Sequence, residues 1–394
     1  MIVTRQGGRT RRQVVATGLT VSSTSLAGCV SGDGPHEGVG SERTDSYAVT
    51  MAPMGEVEFD AVPTDVFVTF PQYADMAVAL GHGDAVNSLF SPEMAGPTMG
   101  AFYDRLEGVD FDGTGLPNPL EGGLEKEELY EFDSDVHFLD PSYVLQTQNN
   151  WTRDDVAEIE TTLGPWIGSF HSGVHSEPAA AYADEYEYYT LWELFENVAA
   201  VFRERKRYEA LAAVYDDVRA RIEAALPPAD ERPSVARVTL GDGQFYTYHL
   251  NTPGFWQAET RPLAAHDALA DHDWSGDWGV VDYETMLEAD PDVILHLWGI
   301  TPQYAIDTVR DRLEDHPIGS ELTAVRNDRV VAGGMRYQGP IMNLFQLEMT
   351  AKQLYPEQFG EWPGHVPGTA YPEIPADERL FDRQRVADIV TGGS

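Results

Sequence analysis

The sequence contains very little lysine and cysteine. Of its 26 Lys and Arg residues only Lys126, Lys206 and Lys352 are lysines, while Asp and Glu number 65, so the formal net charge is −39. The phosphate backbone of a nucleic acid is negative and binds to basic patches. The strongly negative charge of this protein therefore argues against nucleic-acid binding. Because Cys29 is the only cysteine, the rest of the chain offers no thiolate ligand for a metal ion.

Abundant carboxylates with almost no lysine are the composition expected of a halophilic protein that works in molar salt. The Debye length there is about 3 Å, so self-repulsion is screened and hydrated carboxylates keep the surface soluble. An acidic protein that binds calcium or basic partners is the alternative. The hydrophobic fraction of 42% excludes global disorder, and 394 residues suggest two domains.

The first residues indicate export and a lipid anchor. Arg11-Arg12 precede a short apolar run rich in Ala, Thr, Ser and Gly, which is typical of a Tat-type signal and too short to span a membrane. Leu26-Ala27-Gly28-Cys29 resembles a lipobox, in which the cysteine is lipidated. We therefore predict a signal over residues 1–29, lipidation of Cys29 and a flexible tether over 30–46, which would hold the body at the outer face of the cell membrane. A chance arginine pair and a stray cysteine are the alternative.

A faint internal repeat predicts the fold class. Residues 127–136 and 284–293 share Glu, Glu, Asp, Asp and Val at identical offsets, and each segment predicts an acidic helix, a turn and a strand. A further predicted strand lies upstream of each copy. Strands that alternate with helices favour α/β lobes with mostly parallel sheets. We expect two Rossmann-like lobes, over 47–202 and 229–394, with a ligand cleft between them.

A long helical stretch separates the two copies. Leu211, Val214, Val218 and Ile222 keep one helical stripe up to Pro227, which ends it. About 20 residues at 1.5 Å each make a rod of about 30 Å, long enough to join two lobes stiffly. The predicted linking segment covers residues 203–228.

Four stretches of the chain, 65–84, 288–295, 324–330 and 354–360, resemble one family in their order and sequence. It is the substrate-binding lipoprotein of ABC importers for ferric siderophores, haem and cobalamin. The resemblance implies two lobes on a rigid helix, little closure, and a ligand held in the cleft. The chain departs from the simplest members in an insertion over 92–124 and in an aromatic-rich stretch over 151–189.

A cleft that captures a large chelate needs aromatic walls and a few oriented polar groups, and in α/β sheets ligands bind beyond the carboxyl ends of strands. Arginine forks there would favour carboxylate or hydroxamate groups. Core packing is the alternative role for each single aromatic residue. The candidate ligand-binding residues that follow predicted strands or lie in loops are Trp166, His171, Tyr246, Tyr248, Trp256, Arg261, Trp298, Arg336 and Tyr337.

The resemblance also implies that one glutamate on top of each lobe docks to arginines of the membrane permease. By position in the repeat, these are Glu127 and Glu284. Two carboxylates at opposite ends of the protein would give the permease two separate points of electrostatic contact. A glutamate favoured at a helix N-terminus by the macrodipole is the alternative.

Neither a bare metal site nor catalysis is expected. His171 with His175, or His266-Asp267 with His272-Asp273, could ligate a metal ion, but no compact three-ligand motif is present. No serine-hydrolase elbow, zinc-protease motif or phosphate loop occurs either, so we expect no enzyme activity and no cofactor.

The sequence therefore predicts a lipid-anchored extracytoplasmic receptor, with an ABC permease and ATPase as partners. We expect it to bind an iron(III) chelate and to perform no bond chemistry. A receptor for cobalamin or haem is the alternative within the class. An exported metal-dependent hydrolase is the alternative outside it.

Overall fold

The computed structural model describes residues 46–274 and 276–393. The predicted export signal, Cys29 and the tether up to residue 45 lie outside the described residues. No helix among the described residues is long and apolar enough to cross a membrane.

The first lobe alternates short strands and helices. Its elements are β1 (Tyr47–Met51), β2 (Gly55–Phe59), β3 (Val66–Val68), α1 (Pro71–Ala79), α2 (Pro92–Tyr103), α3 (Lys126–Phe132), β4 (Val136–Phe138), α4 (Pro141–Thr147), α5 (Arg153–Thr162) and α6 (Leu191–Val201).

A small parallel sheet forms the centre of this lobe. β3 pairs in parallel with β4, and parallel bridges at Val86 and Trp166 extend the sheet on both sides. The residues of β3 and β4 are fully buried, which is why these strands do not alternate apolar and polar residues. His137 is the polar exception, and its Nδ1 lies 3.0 Å from the carbonyl oxygen of Gly164. β1 and β2 form a separate antiparallel hairpin, which the sequence did not predict as paired strands.

The two lobes are joined by α7 (Arg205–Ala225), a helix of 21 residues that follows α6 after a short turn. At 1.5 Å per residue α7 is about 31 Å long. Leu211, Val214, Val218 and Ile222 form its buried stripe, as the spacing predicted. At its start Arg207 donates to the carbonyl oxygen of Leu80, which ties the spine to the end of α1.

The second lobe contains the larger sheet. Its elements are β5 (Ser234–Gly241), β6 (Gln244–Tyr248), β7 (His266–Asp267), β8 (Gly279–Val281), α8 (Tyr283–Ala289), β9 (Val293–His296), α9 (Ile306–Glu314), α10 (Thr323–Arg326), β10 (Val330–Ala332), α11 (Pro340–Leu354), α12 (Pro356–Phe359) and α13 (Arg383–Thr391).

The strand order of this sheet is β10-β9-β5-β6-β8, with β7 beside β5. β10, β9, β5 and β7 run parallel, whereas β6 pairs antiparallel with β5 and β8. The sheet is therefore mixed, and the antiparallel β6 places two tyrosines of the predicted site on a strand instead of in a loop. Two α/β lobes on a helical spine confirm the predicted fold class; the exact lobe boundaries stay a prediction.

The last helices pack against the first lobe and the spine. α11 lies against α1, α2, α6 and α7, and α13 lies against α7. The Asp75 carboxylate of α1 accepts the backbone N–H groups of Ile341 (2.9 Å) and Met342 (3.2 Å), so it caps α11 from another helix. The Tyr103 hydroxyl donates to the other carboxylate oxygen of Asp75 at 2.5 Å.

The sequence repeat corresponds to a repeated structure. Asp133 is the C-cap residue directly after α3, and Asp290 is the C-cap residue directly after α8. Both aspartates adopt the left-handed conformation, with φ of 49° and 35°. Two residues later Asp135 accepts the backbone N–H of Asp65, and Asp292 accepts that of Ser234. In each lobe the repeat thus ends a helix and fixes the start of the neighbouring strand.

Candidate functional site

Four aromatic rings of the first lobe meet where its parallel segments end. Phe70 follows β3, Phe90 follows the segment that bridges β3, Tyr143 lies in the first turn of α4 after β4, and Phe170 follows the segment that bridges β4. Their ring centroids lie 6.0 Å or less from that of Phe70. The carboxyl ends of parallel strands share one edge of a sheet, so the fold itself gathers these rings.

Four rings of the second lobe lie opposite. Trp298 follows β9, Tyr337 follows β10, Tyr248 ends β6, and Trp256 lies in the turn beyond it. The centroid of Trp256 is 5.7 Å from that of Tyr337 and 6.2 Å from that of Tyr248, and Trp298 is 5.9 Å from Tyr337. We call these eight rings, together with Arg336, the cleft cluster.

Rings of the two lobes contact each other directly. Phe70 and Tyr337 lie 4.9 Å apart at an interplanar angle of 34°, and Phe170 meets Trp256 edge to face at 5.6 Å. Phe90 meets Tyr337 at 6.2 Å, again edge to face. The two lobes are therefore in contact here, and the junction is aromatic on both sides.

Arg336 is the cation of the cleft cluster. Its guanidinium donates to the hydroxyl oxygens of Tyr248 and Tyr337, both at 2.7 Å. The guanidinium carbon lies 4.3 Å from the ring centroid of Trp256 and 5.7 Å from that of Trp298. Such contacts stabilise a cation against burial, and they fix the orientation of its planar fork.

The protonation states at the cluster follow from burial and from Arg336. Burial works against the charged guanidinium, but the phenol groups of Tyr337 and Tyr248 hold the pKa of Arg336 above its ordinary value. Burial raises the pKa of Tyr337 and raises that of Tyr143 to about 12. At neutral pH Tyr337 and Tyr143 are thus neutral phenols and Arg336 carries a positive charge.

Trp278 and Asp277 lie at the rim of the cleft cluster. Trp278 is 44% exposed, and its ring centroid is 5.9 Å from the Arg336 guanidinium carbon. The negative charge of Asp277 also contributes to the raised pKa of Arg336. No ion pair within 4.0 Å joins Asp277 to Arg336 among the described residues. Asp277 therefore interacts with the positive charge of Arg336 at a distance and does not form a salt bridge with it.

Two donor groups of the cluster lack hydrogen-bond partners although they are buried: Nε1 of Trp256 and Nε of Arg336. His171 lies beside them, with its ring 5.7 Å from Phe170, and its Nε2 is also unpartnered. Its Nδ1 lies 3.1 Å from the Ser176 hydroxyl, and burial lowers the pKa of His171, so the imidazole is neutral at pH 7. Buried polar groups are normally paired, so these unpartnered groups are unusual. The Trp256 indole is packed so closely against Gly173 that a Cβ there would be 2.6 Å from Nε1.

The backbone at Trp298 is strained. Its φ of 65° lies in the left-handed region, which a bulky aromatic residue seldom adopts. The Trp298 N–H donates to the carbonyl oxygen of Gly334 at 3.1 Å, and the Thr301 hydroxyl donates to the Trp298 carbonyl oxygen at 2.7 Å. Strain of this kind is found mostly at ligand-binding positions, where surrounding contacts hold it in place.

The structure brings most of the predicted site residues together. Tyr248, Trp256, Trp298, Arg336 and Tyr337 belong to the cleft cluster, and His171 borders it. Their roles in ligand binding stay a proposal.

Three predicted residues lie elsewhere. Trp166 is buried in the first lobe, where its Nε1 donates to Val156 and its ring packs on His137. The ring of Tyr246 lies over Gly241. Arg261 donates to the carbonyl oxygens of Thr252 and Gly254 and lines a separate surface cavity of about 600 Å³.

The histidine and aspartate pairs considered for a metal are separated or already engaged. His249, not His272, contacts Asp267, with Nδ1 3.0 Å from Oδ2, while Nε2 of His266 lies 2.7 Å from the carbonyl oxygen of Ala229. His175 stacks on Tyr188 at 4.5 Å. Across the described residues no group of three or more His, Cys, Asp or Glu side chains is placed to hold a metal ion.

Both predicted docking glutamates are exposed in the first turns of equivalent helices, Glu127 in α3 and Glu284 in α8. These positions suit a contact with a partner and equally suit the helix macrodipole.

Sequence reasoning missed Phe70, Phe90, Tyr143 and Trp278. Phe70 and Tyr143 each follow a buried strand closely, and the rule that ligands bind beyond strand ends could have found them. Nothing in the sequence distinguishes Trp278 from other exposed aromatics, because its position depends on the fold of β8.

Two α/β lobes on a helical spine, with an aromatic cluster at their junction, define a two-lobed solute-binding protein. A family profile described as periplasmic binding protein matches residues 136–337, more than half of the sequence. The chain therefore belongs to the periplasmic binding protein family. Membership implies an extracytoplasmic location.

Solved structures of low sequence identity share the fold. A periplasmic binding protein from Veillonella parvula has a TM-score of 0.57 at 16% identity, covering 79% of this chain and 97% of that one. The iron uptake ABC transporter substrate-binding protein PiuA from Streptococcus pneumoniae has a TM-score of 0.53 at 14% identity, covering 78% and 99%. An ABC-type Fe3+-hydroxamate transport system from Saccharomonospora viridis has a TM-score of 0.50 at 20% identity, covering 76% and 96%. No curated protein matches the sequence.

Proposed function

We propose that this protein is the extracytoplasmic receptor of an ABC importer, and that it binds an iron(III) chelate between its lobes and delivers it to the permease. The observation that carries the proposal is the cleft cluster, in which one arginine lies among rings of both lobes. Iron-uptake proteins among the structures of the same fold support the choice of ligand.

The chemistry of the cluster suits a large chelate. Aromatic walls bury the apolar faces of such a ligand, and an arginine fork binds its peripheral oxygen atoms. The protein would bind and release the chelate without breaking bonds, so we propose no enzymatic activity.

The test is a titration of tryptophan fluorescence with ferric chelates in 2 M KCl. Trp256 and Trp298 lie in the cleft cluster, so a bound ferric chelate should quench part of the emission in a saturable way. Arg336→Gln should weaken binding about 10- to 100-fold, the range for hydrogen bonds to a charged group.

Arg326→Gln is the matched control. Arg326 is exposed at the end of α10 and its ion pair is with Glu321, so this substitution removes the same charge from a residue outside the cleft cluster. The proposal fails if no ferric chelate quenches the wild-type protein, or if both variants bind it equally well.

We also propose that Glu127 and Glu284 dock to the permease. Replacing both with arginine should leave chelate affinity unchanged and lower the stimulation of the reconstituted transporter's ATPase. Glu131 and Glu288 occupy the equivalent next turn of the same two helices and are exposed, so their reversal is the control. Equal loss in both double variants would contradict a specific docking role.

Anchoring through Cys29 completes the proposal. Cys29→Ser should release the protein from the membrane fraction into the medium without changing chelate affinity. If the variant stays in the membrane fraction, lipidation of Cys29 is not the anchor.

A further inference from the structure

A cavity of about 430 Å³ lies between the spine and the second lobe. Its lining comes from α6, α7 and residues 258–262, whereas the cleft cluster comes from the ends of strands and the turns after them. The cavity is therefore separate from the proposed chelate site. Its volume is within the range of small-molecule sites.

One wall of this cavity is aromatic. The rings of Trp192 on α6 and Tyr215 on α7 stack, with centroids 4.4 Å apart at an interplanar angle of 19°. Nε1 of Trp192 donates to the side-chain oxygen of Asn343 at 3.3 Å, which holds the indole in place. Ala212 and Pro262 add apolar surface to the lining. A ligand with an apolar body therefore fits against this aromatic wall.

Two arginines line the same cavity, one from the spine and one from the second lobe. Arg219 belongs to α7, and its guanidinium carbon lies 5.8 Å from the ring centroid of Tyr215. Arg261 belongs to the second lobe, and its Nη1 donates to the carbonyl oxygens of Thr252 at 3.1 Å and Gly254 at 3.0 Å. Among the described residues, Nε and Nη2 of Arg261 have no hydrogen-bond acceptor, so they can still donate to a ligand.

No carboxylate in contact balances these two positive charges. Neither Arg219 nor Arg261 forms an ion pair within 4.0 Å in the part of the chain that the structure describes. Asp216 also lines the cavity, but it is exposed and pairs with neither arginine there. Burial lowers the pKa of Arg261, and the positive charge of Arg219 acts in the same direction, whereas the phenol of Tyr215 opposes both. In a protein with a net charge of −39, two neighbouring arginines without a carboxylate partner indicate a place for an anion.

We infer that this cavity binds a phosphate monoester, with the phosphate held between Arg219 and Arg261 and an apolar body against the aromatic wall. Two guanidinium groups match the charge of a phosphate dianion, and their planar forks bind its oxygen atoms through paired hydrogen bonds. Such bonds are about 2.8 Å long, which is shorter than the Debye length of about 3 Å in molar salt, so salt screens them incompletely. The bound ester would join the spine to the second lobe without occupying the cleft cluster.

The test measures the binding of phenyl phosphate to the full chain in 2 M KCl at pH 7.5, where a phosphate monoester is mainly a dianion. Isothermal titration calorimetry gives the affinity. Inorganic phosphate, phenol and benzoate are the comparison probes, because they lack the apolar body, the anion and the second charge respectively. We expect phenyl phosphate to bind about 10-fold more tightly than each of them, or better.

Arg219→Gln locates the anionic group. Arg219 is exposed, so the variant should fold, and it should bind phenyl phosphate about 10- to 100-fold more weakly. Its Tm without ligand should not fall, because the substitution also removes the repulsion with Arg261. Arg385→Gln is the matched control: Arg385 is exposed and pairs with Asp217 of the same helix at 3.3 Å, and it should leave the affinity unchanged.

Ala212→Leu locates the apolar body. It narrows the cavity beside the aromatic wall and keeps both arginines, and leucine is a good helix former. This variant should weaken phenyl phosphate and leave the affinity for inorganic phosphate unchanged. Thermal unfolding verifies that each variant is folded.

The inference is overturned if phenyl phosphate does not bind, or if phenol or inorganic phosphate binds as tightly. Equal affinity of Arg219→Gln and the wild-type protein for phenyl phosphate also overturns it. The chelate proposal is tested separately, because the ferric chelates and Arg336→Gln report on the cleft cluster and not on this cavity.

Discussion

Gly173 lies against the indole ring of Trp256, at a point where the two lobes contact each other. A Cβ there would lie 2.6 Å from the ring, closer than real Cβ contacts allow. The ring is fully buried and has little room to move away. The contact between the lobes therefore requires glycine at position 173.

We expect Gly173→Ala to lower the free energy of unfolding by about 1–3 kcal/mol, the usual cost of overpacking. It should also weaken chelate binding, because Trp256 must shift. Denaturant unfolding in 2 M KCl and the quenching titration measure the two effects.

Gly100→Ala is the control for this prediction. Gly100 lies in α2, and a Cβ there would meet nothing within 4 Å. Alanine is the better helix former, so this variant should gain up to about 1 kcal/mol. Similar destabilisation of both variants would show that the contact with Trp256 is not the cause.

The residues of the cluster also show which parts of the site could be predicted. Tyr248, Trp256, Trp298, Arg336 and Tyr337 were found because they lie near or beyond the ends of predicted strands, where α/β sheets bind ligands. Trp166 satisfied the same criterion and is buried in the first lobe. Sequence position gives the end of a strand, but it does not give the face to which a side chain points.

At the scale of elements, the cap of α11 connects protonation to stability. Burial raises the pKa of Asp75 to about 7, although the Tyr103 hydroxyl and the N–H groups of Ile341 and Met342 act in the opposite direction. In the unfolded chain the pKa of an aspartate is about 3.9. The folded state therefore binds this proton more tightly than the unfolded state does.

The sign of the pH dependence follows from this difference. The contribution of Asp75 to stability is complete below about pH 4 and is lost as the pH rises to about 7, by at most about 4 kcal/mol. Asp75→Asn should remove this slope, so its free energy of unfolding should depend less on pH between 4 and 7. Urea unfolding at constant KCl measures it.

Asp84→Asn is the control for the loss of one carboxylate, because Asp84 is exposed. If Asp75→Asn and the wild-type protein show parallel pH profiles, the carboxyl of Asp75 does not retain its proton near neutrality.

The repeated helix ends offer a second element-scale prediction. Asp133 and Asp290 share the left-handed conformation, which glycine adopts without strain. Only Asp290 also accepts hydrogen bonds from Thr323, from the backbone N–H and from the hydroxyl, both at 2.8 Å.

Asp133→Gly should therefore raise the free energy of unfolding by about 0.5 kcal/mol. Asp290→Gly should lower it by about 1 kcal/mol, because two hydrogen bonds are lost. Denaturant unfolding of the two variants in the same salt compares them directly, and changes of equal sign would contradict this account.

Elements with a strong periodic or buried pattern were predictable. The stripe of α7 was found because its apolar residues keep one helical face. The hairpin of β1 and β2 was missed as a pair, since Pro53 and Gly55 in its turn conceal the alternation on either side. The capping of α11 by Asp75 could not be predicted, because it joins residues more than 260 positions apart.

At the scale of the whole molecule, the net charge of −39 predicts a dependence on salt. Like charges on one compact body repel each other at low ionic strength, and this repulsion is screened at molar salt. We expect the Tm to rise by about 10 °C or more between 0.2 and 3 M KCl, as followed by circular dichroism.

KBr at the same ionic strength should give a similar rise, because screening depends on ionic strength more than on the identity of the halide. A Tm that does not change with salt would contradict the halophilic interpretation. It would leave the fold and the cleft cluster unaffected.

The packing of the spine also determines how fast ligands can exchange. α7 contacts α6, α11 and α13, so we expect the lobes to move by small sliding of packed helices. Each exchange must separate ring pairs such as Phe70 and Tyr337 without a flexible hinge. Under the proposed function, dissociation of the chelate should therefore be slow, and docking to the permease would shorten its residence time by drawing the lobes apart.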